Sequence, residues 1–200
     1  MLGPLIVLIL KTAFGILLIS LVARFLAQIA RADVRNPLAM TVLQITDPVL
    51  KPMRRIIPGL GGLDLASLLC IWIGQFILGC LIFAAMGVNP MALVGQLVVW
   101  SLLGVAGILL TVLQWSMIIV AIGSWIAMGQ QNPLLGFLGQ LVEPFVGPFR
   151  RLNLNIGMLD LSYIIAFLVL IILRDFILGG MILPQTGYST VGGISPILGL

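Results

Sequence analysis

Residues 36–65 recur 96 positions later without a gap, and a chain that repeats itself between long apolar runs has few architectures open to it. Asn36, Pro37 and Leu38 come back as Asn132, Pro133 and Leu134; Asp47 and Pro48 as Glu143 and Pro144; Pro52 as Pro148; Arg54 and Arg55 as Arg150 and Arg151; Asp64 and Leu65 as Asp160 and Leu161. Twelve of the 30 aligned positions are identical, which points to a duplicated unit.

What surrounds the repeated unit decides its solvent. With 61% hydrophobic and 8% charged residues over 200 positions, the chain has too little polar surface to coat a water-soluble globule. Four stretches are long enough to span the roughly 30 Å hydrocarbon core. They cover about 2–23 with a helical tail to 30, about 65–86, about 97–127, and about 161–183. Trp100 and Trp125 sit where interfacial anchors would on the third. The first stretch has no basic region before it and no small-residue cleavage site after it, so it is expected to stay as a span rather than be removed as a signal peptide.

Lys and Arg near span ends are retained on the cytoplasmic side. Arg24, Arg31, Arg35, Lys51, Arg54 and Arg55 flank or lie between the first two stretches, and Arg150 and Arg151 lie between the last two. Residues 87–89 and 184–200 carry no charge. Both termini are therefore expected outside, in the periplasm of a bacterial inner membrane, with both repeated loops in the cytoplasm. The fold class that follows is an all-α membrane protein of four transmembrane helices in two tandem repeats of parallel topology. These are 1–88 and 89–183, followed by an uncharged flexible tail over 184–200.

Each loop has a legible start. Asn36 and Asn132 are good N-caps, and Pro37 and Pro133 then occupy the first helical position, where a missing N–H costs nothing. A short interfacial or re-entrant helix is expected over about 37–46 and about 133–142. It should stop before Pro48 and Pro144, with Pro52 and Pro148 keeping the next stretch irregular. Asp64 and Asp160 stand at the mouths of spans two and four, placed to cap the helices or to pair with Arg54, Arg55, Arg150 or Arg151.

The combination of Asn-Pro, an acidic residue followed by Pro-x-x-x-Pro-x-Arg-Arg, and Gly-x-x-Asp-Leu, present twice among four apolar spans, resembles the YggT family of integral membrane proteins, which includes the YlmG-type proteins. The first copy follows that pattern closely; in the second, Glu143 replaces Asp47, Gly147 replaces Lys51, and Leu154 stands opposite Pro58. The resemblance implies a small membrane protein tied to osmotic and ion tolerance, or to membrane-protein assembly, and it carries over no catalytic residue.

The residues themselves exclude much chemistry. With no His, neither a Ser/His triad nor a His-ligated metal can be built from this sequence, and six dispersed carboxylates form no catalytic, cofactor or metal constellation. Cys70 and Cys80, ten residues apart on one apolar run, read as unbonded packing residues. The net charge of +4 is scattered beside apolar residues, so no nucleic-acid surface is expected. The partners expected are the bilayer, anionic lipid headgroups, other membrane proteins or further copies of the chain. Lys11, Arg174 and Asp175 are charges within spans, where each costs about 2.5–3.5 kcal/mol on insertion scales, so Lys11 is expected near Asp175 or Arg174 is expected to snorkel. Gln75, Thr111, Gln114 and Ser116 are candidates for hydrogen bonds between helices. The reading is a non-enzymatic membrane factor for assembly, organisation or osmotic and ion balance; the alternative is a small oligomeric ion channel or transporter.

Overall fold

The computed structural model describes residues 2–57, 64–126, 132–151, 155–156 and 159–200. It is all-helical apart from a two-residue antiparallel ladder joining β1 (Asn155–Ile156) to β2 (Leu159–Asp160). Among the described residues, four helical stretches are long and apolar enough to cross a membrane, at Gly3–Ala30, Leu65–Ala85, Pro90–Ser124 and Ser162–Gln185.

The first span is α1 (Leu2–Ala30) and the second α3 (Leu65–Ala85), an uninterrupted apolar helix capped by Asp64. A 3₁₀ turn over Pro90–Leu93 leads into α4 (Val94–Ile126), the third span. The fourth begins as α6 (Leu161–Ile171), widens into π-helical turns over Ile172–Ile182 and closes with α7 (Leu183–Gln185). Leu18, Leu21 and Val22 of α1 pack with Ile71 of α3 and Leu170 of α6 in one core. The outward faces are equally apolar: Leu8, Ile9, Leu102, Ile164, Leu168 and Phe176 are all exposed. Apolar side chains both inside and out suit hydrocarbon as the surrounding solvent, where close packing rather than water exclusion holds helices together.

The two connecting elbows depart from expectation. Instead of stopping before Pro48 and Pro144, the elbow helices run through all four internal prolines, as α2 (Pro37–Ile56) and α5 (Pro133–Arg150). Pro48 and Pro52, and likewise Pro144 and Pro148, are exposed and four residues apart, so in each helix the missing N–H groups fall on a single outward face. The opposite face keeps its contacts: Ala39 and Leu50 of α2, and Phe137, Leu141, Val142 and Val146 of α5, are buried in the core. That packing offsets the roughly 3 kcal/mol a helix-interior proline costs.

The tail is docked rather than flexible. Val191 and Ile194 exchange both backbone hydrogen bonds at 3.0 Å across Gly192 and Gly193, whose φ values of 57° and 77° make the tight turn accessible to glycine. Beyond the turn the chain enters the bundle between α3 and α4. The fully buried Gln75 amide donates to the Leu198 carbonyl at 2.8 Å and accepts from the Leu198 N–H at 3.0 Å. Close approach depends on Gly104 of α4, where a Cβ would stand 2.3 Å from Ile197. Trp100, expected as an interfacial anchor, is buried here and donates to the Thr186 carbonyl at 3.3 Å; the Trp125 side chain lies outside the described residues.

Candidate functional site

Both elbows lie at the same end of the bundle and touch. Asn36 caps α2 by accepting from the Leu38 N–H at 2.9 Å, and the same amide donates to the Pro133 carbonyl at 2.8 Å. Gln140 of α5 returns the contact, accepting from the Asp33 N–H at 2.9 Å. Asn132 caps α5 through the Leu134 N–H at 2.9 Å. The N-cap signal at Asn36 gives no sign of this cross-elbow bond; for Gln140 the sequence signal is its identity with Gln44, 96 positions earlier.

Arg24, near the end of α1, is the hub of the first elbow. It is 8% exposed, and its guanidinium donates to Thr46 Oγ1 and Asp47 Oδ1, both at 2.7 Å, on α2. Lys51, one turn along α2, reaches the other Asp47 oxygen at 2.8 Å. Hydrogen bonds from Lys51 and Arg24 therefore hold the Asp47 carboxyl below the usual carboxylate range. The sequence shows Arg24 only as a basic residue near a span end; its burial depends on α2 folding back over α1.

Arg54 closes the elbow on span two. It pairs with the buried Asp64, whose side chain also caps α3 by accepting from the Ser67 N–H at 3.3 Å and from the Ser67 hydroxyl. Burial pushes the Asp64 carboxyl up, but the Arg54 and Ser67 hydrogen bonds outweigh it and leave a net lowering. Gln28 of α1 accepts a longer bond from Arg54, at 3.4 Å. Arg55 points outward and is exposed.

The second elbow is held differently. Arg150 donates to both Glu143 oxygens at 2.9 Å within α5, and its guanidinium lies 5.2 Å from the Tyr163 ring centre on α6. Both partners of that ion pair are more than 40% exposed. Arg151 is exposed at the helix end. The side chain of Asp160 lies outside the described residues, so its expected cap is not placed.

Within the spans, Lys11 and Asp175 are not brought together. Asp175 pairs instead with its neighbour Arg174 at 3.4 Å, and Arg174 turns inward to donate to Gln114 of α4 at 3.2 Å rather than snorkelling free. Their position on successive residues of the π-helical turns accounts for the local pairing. Thr111 bonds the Gly107 carbonyl on its own helix at 2.8 Å. Cys70 and Cys80 are free thiols. Among the described residues, no three of His, Cys, Asp and Glu converge as metal ligands would.

The CCB3/YggT family model matches residues 4–85 and 99–181. The chain is 41% identical over 162 residues to the uncharacterised protein PA0392 of Pseudomonas aeruginosa, covering 81% of this chain and 82% of that one. It is 35% identical over 179 residues to an uncharacterised protein encoded in the proC 3′ region of Vibrio alginolyticus, covering 88% and 94%. It is 31% identical over 186 residues to the uncharacterised protein YggT of Escherichia coli K12, covering 93% and 95%. No solved structure matches.

Proposed function

Because the chain belongs to the CCB3/YggT family, we propose that it is a non-enzymatic multi-pass protein of the bacterial inner membrane that organises other membrane proteins or assists their assembly. In this reading the two repeats are tandem hairpins of parallel topology, with both elbows cytoplasmic and both termini periplasmic. The elbows meet the headgroup region and present the docking face. The observation that carries the reading is the contrast between a closed interior and an open elbow face. Inside, the buried Gln75 amide is used up by the tail, and Arg174 is paired with Gln114 and Asp175, its Nε being the buried side-chain donor left without a partner among the described residues. At the elbows, Arg35, Lys51, Arg55 and Arg151 are exposed, as are the apolar Met40 and Leu134. Such a mixed surface suits a membrane-embedded partner.

The test is photo-crosslinking in native membranes from Arg55 and Arg151, each replaced by a crosslinkable residue. A discrete membrane protein captured from both positions, and lost when the remaining exposed elbow basics are neutralised, supports the proposal. Only lipid adducts at both positions would contradict it.

One observation favours a second reading, an oligomeric ion pathway contributing to ion and osmotic balance. The Asp175 side chain is 56% exposed on the outer surface of span four, beside Phe176, and a charge there is costly unless another chain covers it. Potassium flux through the purified protein in liposomes, abolished by Asp175→Asn, would favour this alternative; no flux above empty liposomes would remove it.

A further inference from the structure

Where α1 ends, a cavity of about 290 Å³ opens between its last turn, α2 and α5. Arg24, Arg31 and Arg54 line it, with Gln28 beside them and Leu43 and Phe137 on the apolar side. Its size lies just below the ~300–1,000 Å³ usual for small-ligand sites: room for a headgroup, not for acyl chains. Its depth is also informative. At 1.5 Å per residue, the 29 residues of α1 reach about 43 Å, which matches a bilayer measured through its headgroups rather than its hydrocarbon alone. Arg31 thus stands at headgroup level and Arg24, seven residues earlier, about 10 Å deeper, near the hydrocarbon edge.

The charges facing the cavity do not cancel. Asp47 is shared by Arg24 and Lys51, and Asp64 is taken by Arg54. Asp33 accepts from the Arg35 backbone N–H. Arg31 has no hydrogen bond or ion pair through its side chain among the described residues. It also holds a left-handed backbone, φ 51°, where the chain turns out of α1 and the Ala32 N–H bonds back to the Ala27 carbonyl at 2.9 Å. Glycine or asparagine would take that position at lower cost. A strained, unpaired arginine at the rim of a guanidinium-lined cavity is unexplained by the packing around it.

We propose that this cavity binds the phosphate of an anionic phospholipid, with Arg31 as its principal ligand and the Arg24 and Arg54 guanidiniums lining the cavity beside it. This goes beyond the general attraction of basic elbows for a negative surface: it is a single site, and it is independent of whether the protein serves as an assembly factor. Phosphate takes charge-assisted bonds from guanidinium groups, while Leu43 and Phe137 give the first acyl carbons an apolar wall.

The test is native mass spectrometry of the full chain in detergent, titrated with phosphatidylglycerol, phosphatidylcholine or inorganic phosphate. The expected result is one tightly retained phosphatidylglycerol per chain, phosphatidylcholine retained at least fivefold less, and no displacement by millimolar inorganic phosphate. Arg31→Gly should lower phosphatidylglycerol retention at least fivefold while leaving the thermal midpoint unchanged or higher, because glycine relieves the left-handed backbone. Arg31→Asn, also tolerant of that conformation, should lose the lipid equally, and Arg31→Lys should keep part of it. Equal retention of the two lipids, or undiminished retention in Arg31→Gly, would overturn the proposal. Displacement by inorganic phosphate would overturn the lipid as its source.

Discussion

The first elbow binds its acidic residue to a different helix, whereas the second binds it within its own. Asp47 is gripped by Arg24 from α1 and by Lys51 from α2, and Arg54 then ties α2 to Asp64 at the mouth of α3. Glu143, aligned with Asp47, has Val120 where Arg24 would stand and Gly147 in place of Lys51, so its partner is Arg150 of the same helix. Arg150, which aligns with Arg54, pairs with Glu143 inside α5 and also lies over the Tyr163 ring of α6. The same spacing of acidic, proline and arginine residues thus holds its carboxylate to different pieces where the neighbouring charges differ. Cross-helix pairs that are buried stabilise the assembly of spans, while an exposed pair inside one helix contributes about 0–1 kcal/mol.

Breaking the first elbow should cost most. Arg24→Ala removes a buried guanidinium and leaves one Asp47 oxygen without its cation, Thr46 keeping its bond to the Val42 carbonyl, so unfolding in detergent should show a loss of about 2–4 kcal/mol. Arg54→Ala should follow at about 1–3 kcal/mol: Asp64 keeps Ser67 but loses its cation. A loss from Arg24→Ala no larger than that from Glu143→Gln would erase the contrast between the two acidic residues.

Acid should separate them next. Asp47 and Asp64 titrate below their ordinary value of 3.8 in the folded protein. The stability they contribute is therefore complete above that value and is lost as pH falls through the folded values. Thermal midpoints followed from neutral pH down to about 3 should fall, and the fall should be shallower in the Asp64→Asn variant; identical slopes would remove Asp64 from the account. The smallest effect belongs to Glu143→Gln, expected within about 1 kcal/mol of the parent in the same unfolding assay.

The spans and the elbow starts were legible because they are local facts. Residues 65–85 carry no charge for 21 positions, and Asn36–Pro37 and Asn132–Pro133 combine a side-chain acceptor with a residue that needs no N–H partner. The passage of α2 and α5 through their prolines was not legible. A proline's cost is a local property, but its tolerance depends on which face it occupies and on what packs against the other face. The docked tail was hidden for a related reason: Gln75 and Leu198 are 123 positions apart, and the fit needs Gly104 on a third element. At the elbow, Asp47, Arg54 and Asp64 stood out because like residues recur 96 positions on, while Arg24 did not, since Val120 stands at the aligned position.

The account rests on the acidic residue of the first elbow, Asp47, being clasped from a neighbouring helix and that of the second, Glu143, from its own. Paired double-mutant cycles measure this directly, one on Arg24 and Asp47, the other on Glu143 and Arg150, read as unfolding free energies under one detergent condition. The account predicts a coupling for Arg24 with Asp47 clearly larger than that for Glu143 with Arg150, the latter staying below about 0.5 kcal/mol. Equal couplings, or the larger one in the second elbow, would contradict it.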